Sequence, residues 1–277
     1  MLSAWQAIIL GAVQGLTEFI PVSSSGHLIA IPYLLHWNYQ GKAFDVAAHM
    51  GTLVALVAYY WRDWISILSS FASHIFKGKP YDKDDSTGVS GRLFVPILVA
   101  CVPAAIVGYL WDDLIETKLS VWYVVAPAMA VFGLIMFWAD RAGKKQRDMA
   151  HMTYVDYITI GVAQAMALLP GVSRSGITIT AGLFRNLDRS AAARFSFLLS
   201  TPIVFGAGMM ALKKVLHTGM VAQEWTAFGW GFASAAIFGY IAIHFLISFL
   251  RKNSMTAFVV YRIVFAALMV GVFLLKV

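Results

Sequence analysis

The sequence predicts an all-α integral membrane protein, with six transmembrane helices plus two re-entrant helical hairpins in an inverted-topology repeat. Three observations carry that prediction. Hydrophobic residues make up 60% of the chain and charged residues only 13%, against roughly 25% charged in a soluble domain. Six apolar runs approach the length of about 20 residues that crosses a bilayer. Two further apolar regions are each broken by a turn of Pro, Ser and Gly, and the two turns resemble each other. One reads Gln14-Gly-Leu-Thr-Glu18-Phe-Ile-Pro21-Val-Ser-Ser-Ser-Gly-His27. The other reads Gln164-Ala-Met-Ala-Leu-Leu-Pro170-Gly-Val-Ser-Arg-Ser-Gly176, about 150 residues later.

The first broken region runs from about Ala4 to Leu35 and the second from about Tyr154 to Phe184. Helix breakers and hydroxyls at membrane depth leave backbone groups that find no water. Two such breaks describe hairpins that enter the bilayer and return, meeting around a polar ligand. The spans fall at about Phe44–Trp61, Leu93–Trp111, Leu119–Ala139, Ala192–Leu212, Thr226–Leu250 and Met255–Lys276. Trp61, Trp111, Trp138, Trp225 and Trp230 lie near their ends, where interfacial anchors belong. The order is therefore hairpin and three spans, twice. Because three is odd, the second unit is expected upside down relative to the first, with repeat one at about 1–140 and repeat two at about 153–277 of a single membrane domain.

Charge sets the orientation. With the N-terminus outside, the inside segments carry Arg62, Lys77, Lys79, Lys83, Arg92, Arg141, Lys144, Lys145, Arg147, Arg185, Arg189, Arg194, Arg251 and Lys252. The outside segments carry only Lys42, Lys118, Lys213, Lys214 and Lys276. This is the positive-inside pattern, and it accounts for the net charge of +7 without nucleic acid. The polar stretch from Lys77 to Arg92, with Asp82, Asp84 and Asp85, is expected to be a solvated connection. The single Cys101 excludes an internal disulfide and reads as a small buried side chain. The start, Met-Leu-Ser-Ala-Trp-Gln, lacks the positive region and cleavage site of a signal peptide and reads as retained structure.

The polar residues of the two breaks are the candidate site. Gln14 and Glu18 are four apart and share a helical face; with His27 they bring an amide, a carboxylate and an imidazole to one Ser-rich turn. Ionisable groups at such depth point to function. Ser23, Ser24 and Ser25 suit ligand contact or helix capping. Ser173, Arg174, Ser175 and Gly176 combine hydroxyls, a guanidinium and the amides of a helix start, a set that favours phosphate. Hairpin tips that reach the midplane from opposite sides set Arg174 opposite Glu18 and His27. Asp45 and His49, four apart, fit either an outer layer of this site or a helix-start carboxylate with its histidine. Arg262 fits a lipid headgroup contact or an internal pairing. Thr178 and Thr180 read as local helix hydroxyls, and Met209 and Met210 as packing.

At these residues the chain resembles the bacterial undecaprenyl-diphosphate phosphatase family of the bacitracin-resistance type. Gln14 to His27 meets its pattern of Glu or Gln, three residues, Glu, then P-V-S-S-[Ser/Thr]-G-H; Pro170 to Gly176 meets P-G-x-S-R-S-G. The resemblance covers essentially the whole chain. It implies a membrane hydrolase that removes the terminal phosphate of undecaprenyl diphosphate and so recycles the carrier lipid of peptidoglycan synthesis. It also implies the bacterial cytoplasmic membrane, an active site facing the outer side, and a divalent cation, Mg²⁺ or Ca²⁺. Gln14 stands where the pattern also admits glutamate, and an amide is a poorer ligand for a hard cation, so Glu18 is the metal ligand this motif offers. On this reading Ser24 is the nucleophile, His27 and Glu18 handle protons, and Arg174 stabilises the transition state. Gln14, Ser23, Ser25, Ser173, Ser175 and Gly176 then bind substrate, with His27 as an alternative nucleophile. The expected partners are the lipid substrate and the membrane; a homodimer is left open. Two rivals remain. One is a transporter of an anionic lipid or organic phosphate. The other is a type-2 phosphatidic-acid phosphatase, disfavoured because its S-R-x₅-H-x₃-D spacing meets Thr180 and Phe184.

Overall fold

In the computed structural model, residues 2–37, 41–81, 88–219 and 221–275 are described. They form eleven α-helices: α1 Ala4–Phe19, α2 Ser24–Leu34, α3 Lys42–Tyr59, α4 Trp61–Lys77, α5 Phe94–Leu114, α6 Trp122–Ala142, α7 Tyr154–Met166, α8 Arg174–Phe184, α9 Arg189–Thr218, α10 Ala222–Leu250 and α11 Thr256–Leu275. The expected loop residues Asp82, Lys83, Asp84 and Asp85, and Lys276, lie outside the described residues.

Five helices, α5, α6, α9, α10 and α11, are long and apolar enough to cross a membrane. The pair α3 and α4, bent by 70°, makes a sixth if taken as one span. The molecule is thus a multi-pass helical membrane protein. Trp61, Trp111, Trp138, Trp225 and Trp230 are all about half exposed or more, as lipid-facing anchors require. Helix α4 was not foreseen. Arg62, Asp63, Ser66, Ser69 and Ser70 interrupt its hydrophobicity too often for a span. Its apolar residues nevertheless recur at helical spacing, leaving Trp61, Ile65, Leu68, Ile75 and Phe76 on an exposed stripe. Met209 and Met210 also face outward, a correction to their expected packing role. Cys101 is buried, its thiol donating to the carbonyl of Leu199 at 3.5 Å.

Both broken regions fold back on themselves. Ser3 caps α1, with its side chain accepting from the Gln6 amide, and Trp5 meets Trp37 edge-on at 5.1 Å, so the start of α1 and the end of α2 lie together. Asp156, in the first turn of α7, accepts from Arg185 just after α8 at 2.7 Å; those two ends also lie together. Each entering helix then follows a long helix from the other half of the chain. Helix α1 runs alongside α10 in the same direction: Ser234 donates to the Ile8 carbonyl at 2.7 Å, and Gly15 abuts Ala235 and Gly239. Helix α7 packs on α5, where Gly161 meets Ala100.

Ion pairs gather at one edge of the bundle. Arg194 holds Asp63 in three hydrogen bonds, from Nε at 3.0 Å and from Nη2 to both carboxylate oxygens at 2.8 and 2.9 Å. Arg189 holds Asp140 at 2.6 and 3.1 Å, and Asp140 also accepts from the Met255 amide at 3.0 Å. Arg147 and Arg185 share Asp156. These contacts tie together the ends of α6 and α8 with the starts of α4, α7, α9 and α11.

At Gly15 an added Cβ would sit 2.7 Å from the backbone of both Ala235 and Gly239, which cannot turn aside. Gly15→Leu is therefore expected to cost about 1–3 kcal/mol and to lower the unfolding temperature in detergent. Gly229→Leu, where an added Cβ meets nothing within 4 Å, is expected not to lower it.

Candidate active site

The two breaks place matching residues in matching conformations. Ser23 and Ser173 both adopt positive φ, 74° and 72°, a conformation L-residues rarely occupy. Each lets the chain turn abruptly from one helix into the next. The hydroxyl of Ser23 lies 3.0 Å from that of Ser25, and the hydroxyl of Ser173 lies 3.2 Å from that of Ser175. The tips then exchange hydrogen bonds. The Gly171 amide donates to Ser25 Oγ at 3.1 Å, and Ser175 Oγ donates to the Glu18 carbonyl at 3.3 Å. Helices α2 and α8 thereby bring their N-termini, with the favourable end of each helix dipole for an anion, to one place.

Arg262 of α11 locks this junction. Its side chain is buried and donates four hydrogen bonds to backbone carbonyls. They are Nε to Met129 at 2.9 Å, Nη2 to Gly171 at 2.8 Å, and Nη1 to Val172 at 3.0 Å and Pro21 at 3.4 Å. One guanidinium thus serves both breaks and the neighbouring α6. The internal pairing expected for Arg262 is with carbonyls, not with a carboxylate.

Between the tips lies a cavity of about 470 Å³. One side is polar: Glu18, Ser23, Ser24, Ser25, Ser173 and Arg174, with Asp45 and His49 from α3. The other is largely apolar, formed by Ala104, Ala167, Leu168 and, from α9, Ile203, Val204 and Ala207. Glu18 is its electrostatic centre. Its Oε2 accepts from Ser24 Oγ at 2.8 Å and from Gln14 Nε2 at 3.2 Å, and its Oε1 accepts from Arg174 Nη2 at 3.1 Å. The second terminal nitrogen of Arg174, Nη1, is buried without a hydrogen-bond partner among the described residues. The grouping is chemically specific: a hydroxyl hydrogen-bonded to a carboxylate, beside a guanidinium with an unused donor.

Four predicted site residues stand one layer back from the cavity. Gln14 supports Glu18. Ser175 is engaged with the Glu18 carbonyl, and the Gly176 amide donates to the Ser173 hydroxyl at 3.2 Å, capping α8. His27 is closed at both nitrogens: Nδ1 lies 2.7 Å from the Ser23 carbonyl and Nε2 lies 2.7 Å from the Tyr261 hydroxyl. Its ring is stacked on Phe265 at 4.1 Å. In this arrangement His27 braces the strained Ser23 turn and does not face Ser24. Sequence reading missed Tyr261, for which no motif existed, and left the placement of Asp45 and His49 open. Thr180 is a helix hydroxyl as expected, donating to the Gly176 carbonyl; Thr178 donates to the Arg174 carbonyl but also lies 2.6 Å from the Ser196 hydroxyl of α9.

Removing Arg262 would strand buried carbonyls at about 1–3 kcal/mol for each one left unsatisfied. Arg262→Met is expected to unfold at markedly lower temperature in detergent. Arg262→Lys is expected to recover only part of the loss, because one ammonium cannot reproduce the planar fork that reaches both breaks.

Comparison with known proteins places these residues in context. The family model described as bacitracin resistance protein BacA matches residues 7–268. An undecaprenyl-diphosphatase of Rubrobacter xylanophilus is 46% identical over 99% of this chain and 100% of its own length. One of Moorella thermoacetica is 45% identical over 98% of both chains. One of Geotalea daltonii is 46% identical over 95% of this chain and 96% of its own.

Proposed function

Because the chain belongs to the bacitracin resistance protein BacA family, we propose that it is an undecaprenyl-diphosphatase, hydrolysing the terminal phosphate of the prenyl diphosphate to return the carrier lipid to peptidoglycan synthesis. The observation that carries this reading is the hydrogen-bonded set of Ser24, Glu18 and Arg174 in an amphiphilic cavity. A lipid diphosphate needs both of its walls, one for the charged head and one for the start of an apolar tail. Ser24 attacks the terminal phosphorus, and Glu18, 2.8 Å away, accepts its proton; nucleophile and base in direct hydrogen bond are the arrangement covalent catalysis requires. Arg174 places its free Nη1 donor on the phosphoryl oxygens, where charge neutralisation is the main catalytic demand. Ser23, Ser25 and Ser173 complete the wall around the head group. Gln14, His27, Ser175 and Gly176 act by holding those residues in place. A transporter would need the cavity but not a serine poised on a carboxylate.

The two halves form an inverted repeat, each beginning with a re-entrant hairpin. The equivalent Ser23 and Ser173 turns, the paired hairpin ends and the two parallel packings, α1 on α10 and α7 on α5, all support this. The arginine-rich edge faces the cytoplasm. From Arg194, α9 runs about 14 Å to Ile203 and about 25 Å to Ala211 at 1.5 Å per residue; both line the cavity. That distance supports a site on the outer side of the cytoplasmic membrane.

The residues present do not fit a protein-held divalent cation. Both Glu18 oxygens are occupied by protein donors, and among the described residues no group of three or more His, Cys, Asp or Glu side chains could hold a metal ion. We place the Mg²⁺ or Ca²⁺ expected from the resemblance on the diphosphate itself, as its counter-ion, and assign no step to it.

Purified protein in detergent should release phosphate from undecaprenyl diphosphate. Ser24→Ala, Glu18→Gln and Arg174→Ala should each lower kcat/KM by at least about 10²-fold, measured by phosphate release. Lipid movement across vesicles with no phosphate release from the wild type would establish the transporter instead.

A further inference from the structure

His49 is the imidazole that faces the cavity, although neither broken motif contains it. It lies on α3 and lines the same space as Glu18, Ser24 and Arg174. Its Nδ1 lies 2.8 Å from the Asp45 backbone carbonyl. A carbonyl can only accept, so Nδ1 carries a proton. The remaining nitrogen, Nε2, has no partner among the described residues. It is a bare lone pair when the ring is neutral and a donor when the ring is charged. His27 offers no such atom, since Tyr261 and Ser23 take both of its nitrogens.

From this we infer that His49 is a further catalytic residue, acting through Nε2 as the acid that protonates the departing prenyl phosphate. The inference rests on the phosphatase reading above. In the first half-reaction the Ser24 Oγ–phosphorus bond forms as the bond from that phosphorus to the bridging oxygen breaks. The Ser24 proton passes to Glu18. The bridging electron pair leaves with the prenyl monophosphate, which takes the proton from His49. Water then attacks the seryl phosphate and gives its proton to the now neutral His49. The Ser24–phosphorus bond breaks, Ser24 recovers its proton from Glu18, and phosphate departs. Both proton carriers end as they began.

The charged and titratable groups that line the cavity with His49 are few. Glu18 faces the cavity from α1, Arg174 from α8, and Asp45 from the same helix as His49. Helix α9 contributes only apolar residues there, and α10 meets α3 through Gly231, Phe232 and Ala235.

The test is the pH dependence of phosphate release from undecaprenyl diphosphate by wild type, His49→Gln and His49→Asn, each checked for unfolding temperature. Two amide variants guard against misfolding of either one. The expected result is a roughly 10²-fold fall in kcat together with loss of the alkaline limb of the wild-type profile, since an acid must be protonated to act. Wild-type rates in a folded amide variant, or a fall in rate with the alkaline limb intact, would overturn the role of His49. A wild type that releases no phosphate would instead overturn the phosphatase reading on which it stands.

Discussion

The arrangement depends on one buried guanidinium. Two helix breaks deep in an apolar bundle leave carbonyls that water cannot reach, and such groups are tolerated only where protein supplies the partners. Arg262 supplies them to Pro21 in the first break and to Gly171 and Val172 in the second. With no carboxylate paired to it among the described residues, its charge is compensated by carbonyl dipoles. Burying such a charge is costly, so the arrangement is sustained only because several acceptors converge on it at once. With the two turns so joined, Ser25 can reach Gly171 and Ser175 can reach Glu18. Neither tip is complete alone.

The ion-pair edge does the complementary work at the other level of the bundle. Asp63, Asp140 and Asp156 each receive an arginine from the segment spanning Arg185 to Arg194. The start of α9 is thereby fixed to the start of α4 and the end of α6, and the end of α8 to the start of α7. Surface ion pairs contribute little singly. These are partly buried, and several are bidentate, so their value lies in geometry: they anchor the foot of the second hairpin while Arg262 anchors its tip. The cavity wall formed by α9 is carried on a helix held at its base.

Much of this was legible in the sequence because the relevant constraints are local. Five of the six apolar runs announce spans by length alone, the other belonging to the bent pair α3 and α4, and a Pro–Ser–Gly interruption announces a break wherever it sits. Glu18, Ser24 and Arg174 were identifiable because hydroxyls and charges are expensive in hydrocarbon and so rarely decorative. What escaped is what depends on tertiary direction. His27 shares a motif with Ser24, yet its ring is taken up by the Ser23 carbonyl and by Tyr261 and Phe265 of α11. Tyr261 and Arg262 are adjacent in an unbroken apolar helix, and nothing local shows that they serve His27 and the two breaks respectively. Helix α4 was missed because its serines dilute a pattern that is amphipathic and too polar for a span. Asp45 and His49 carried the right spacing for a helix face, but only the packing of α3 against α1 turns that face to Glu18.

The pairing of Arg174 with Glu18 gives the proposed chemistry a built-in order. As the structure stands, Glu18 has Arg174 on one oxygen and Ser24 with Gln14 on the other. A carboxylate placed beside an incoming diphosphate would repel it, and the adjacent guanidinium screens that repulsion while offering Nη1 to the phosphate. Once the phosphoryl oxygens draw Arg174 toward themselves, Glu18 is left facing Ser24 and Gln14. Gln14 can stabilise the carboxylate but cannot neutralise it. The negative charge is then directed at the one hydroxyl that must lose a proton, at the moment the phosphorus is in place. An amide at position 14 is therefore consistent with the mechanism: a second carboxylate there would add to the repulsion of the substrate, whereas glutamine orients Glu18 without adding charge.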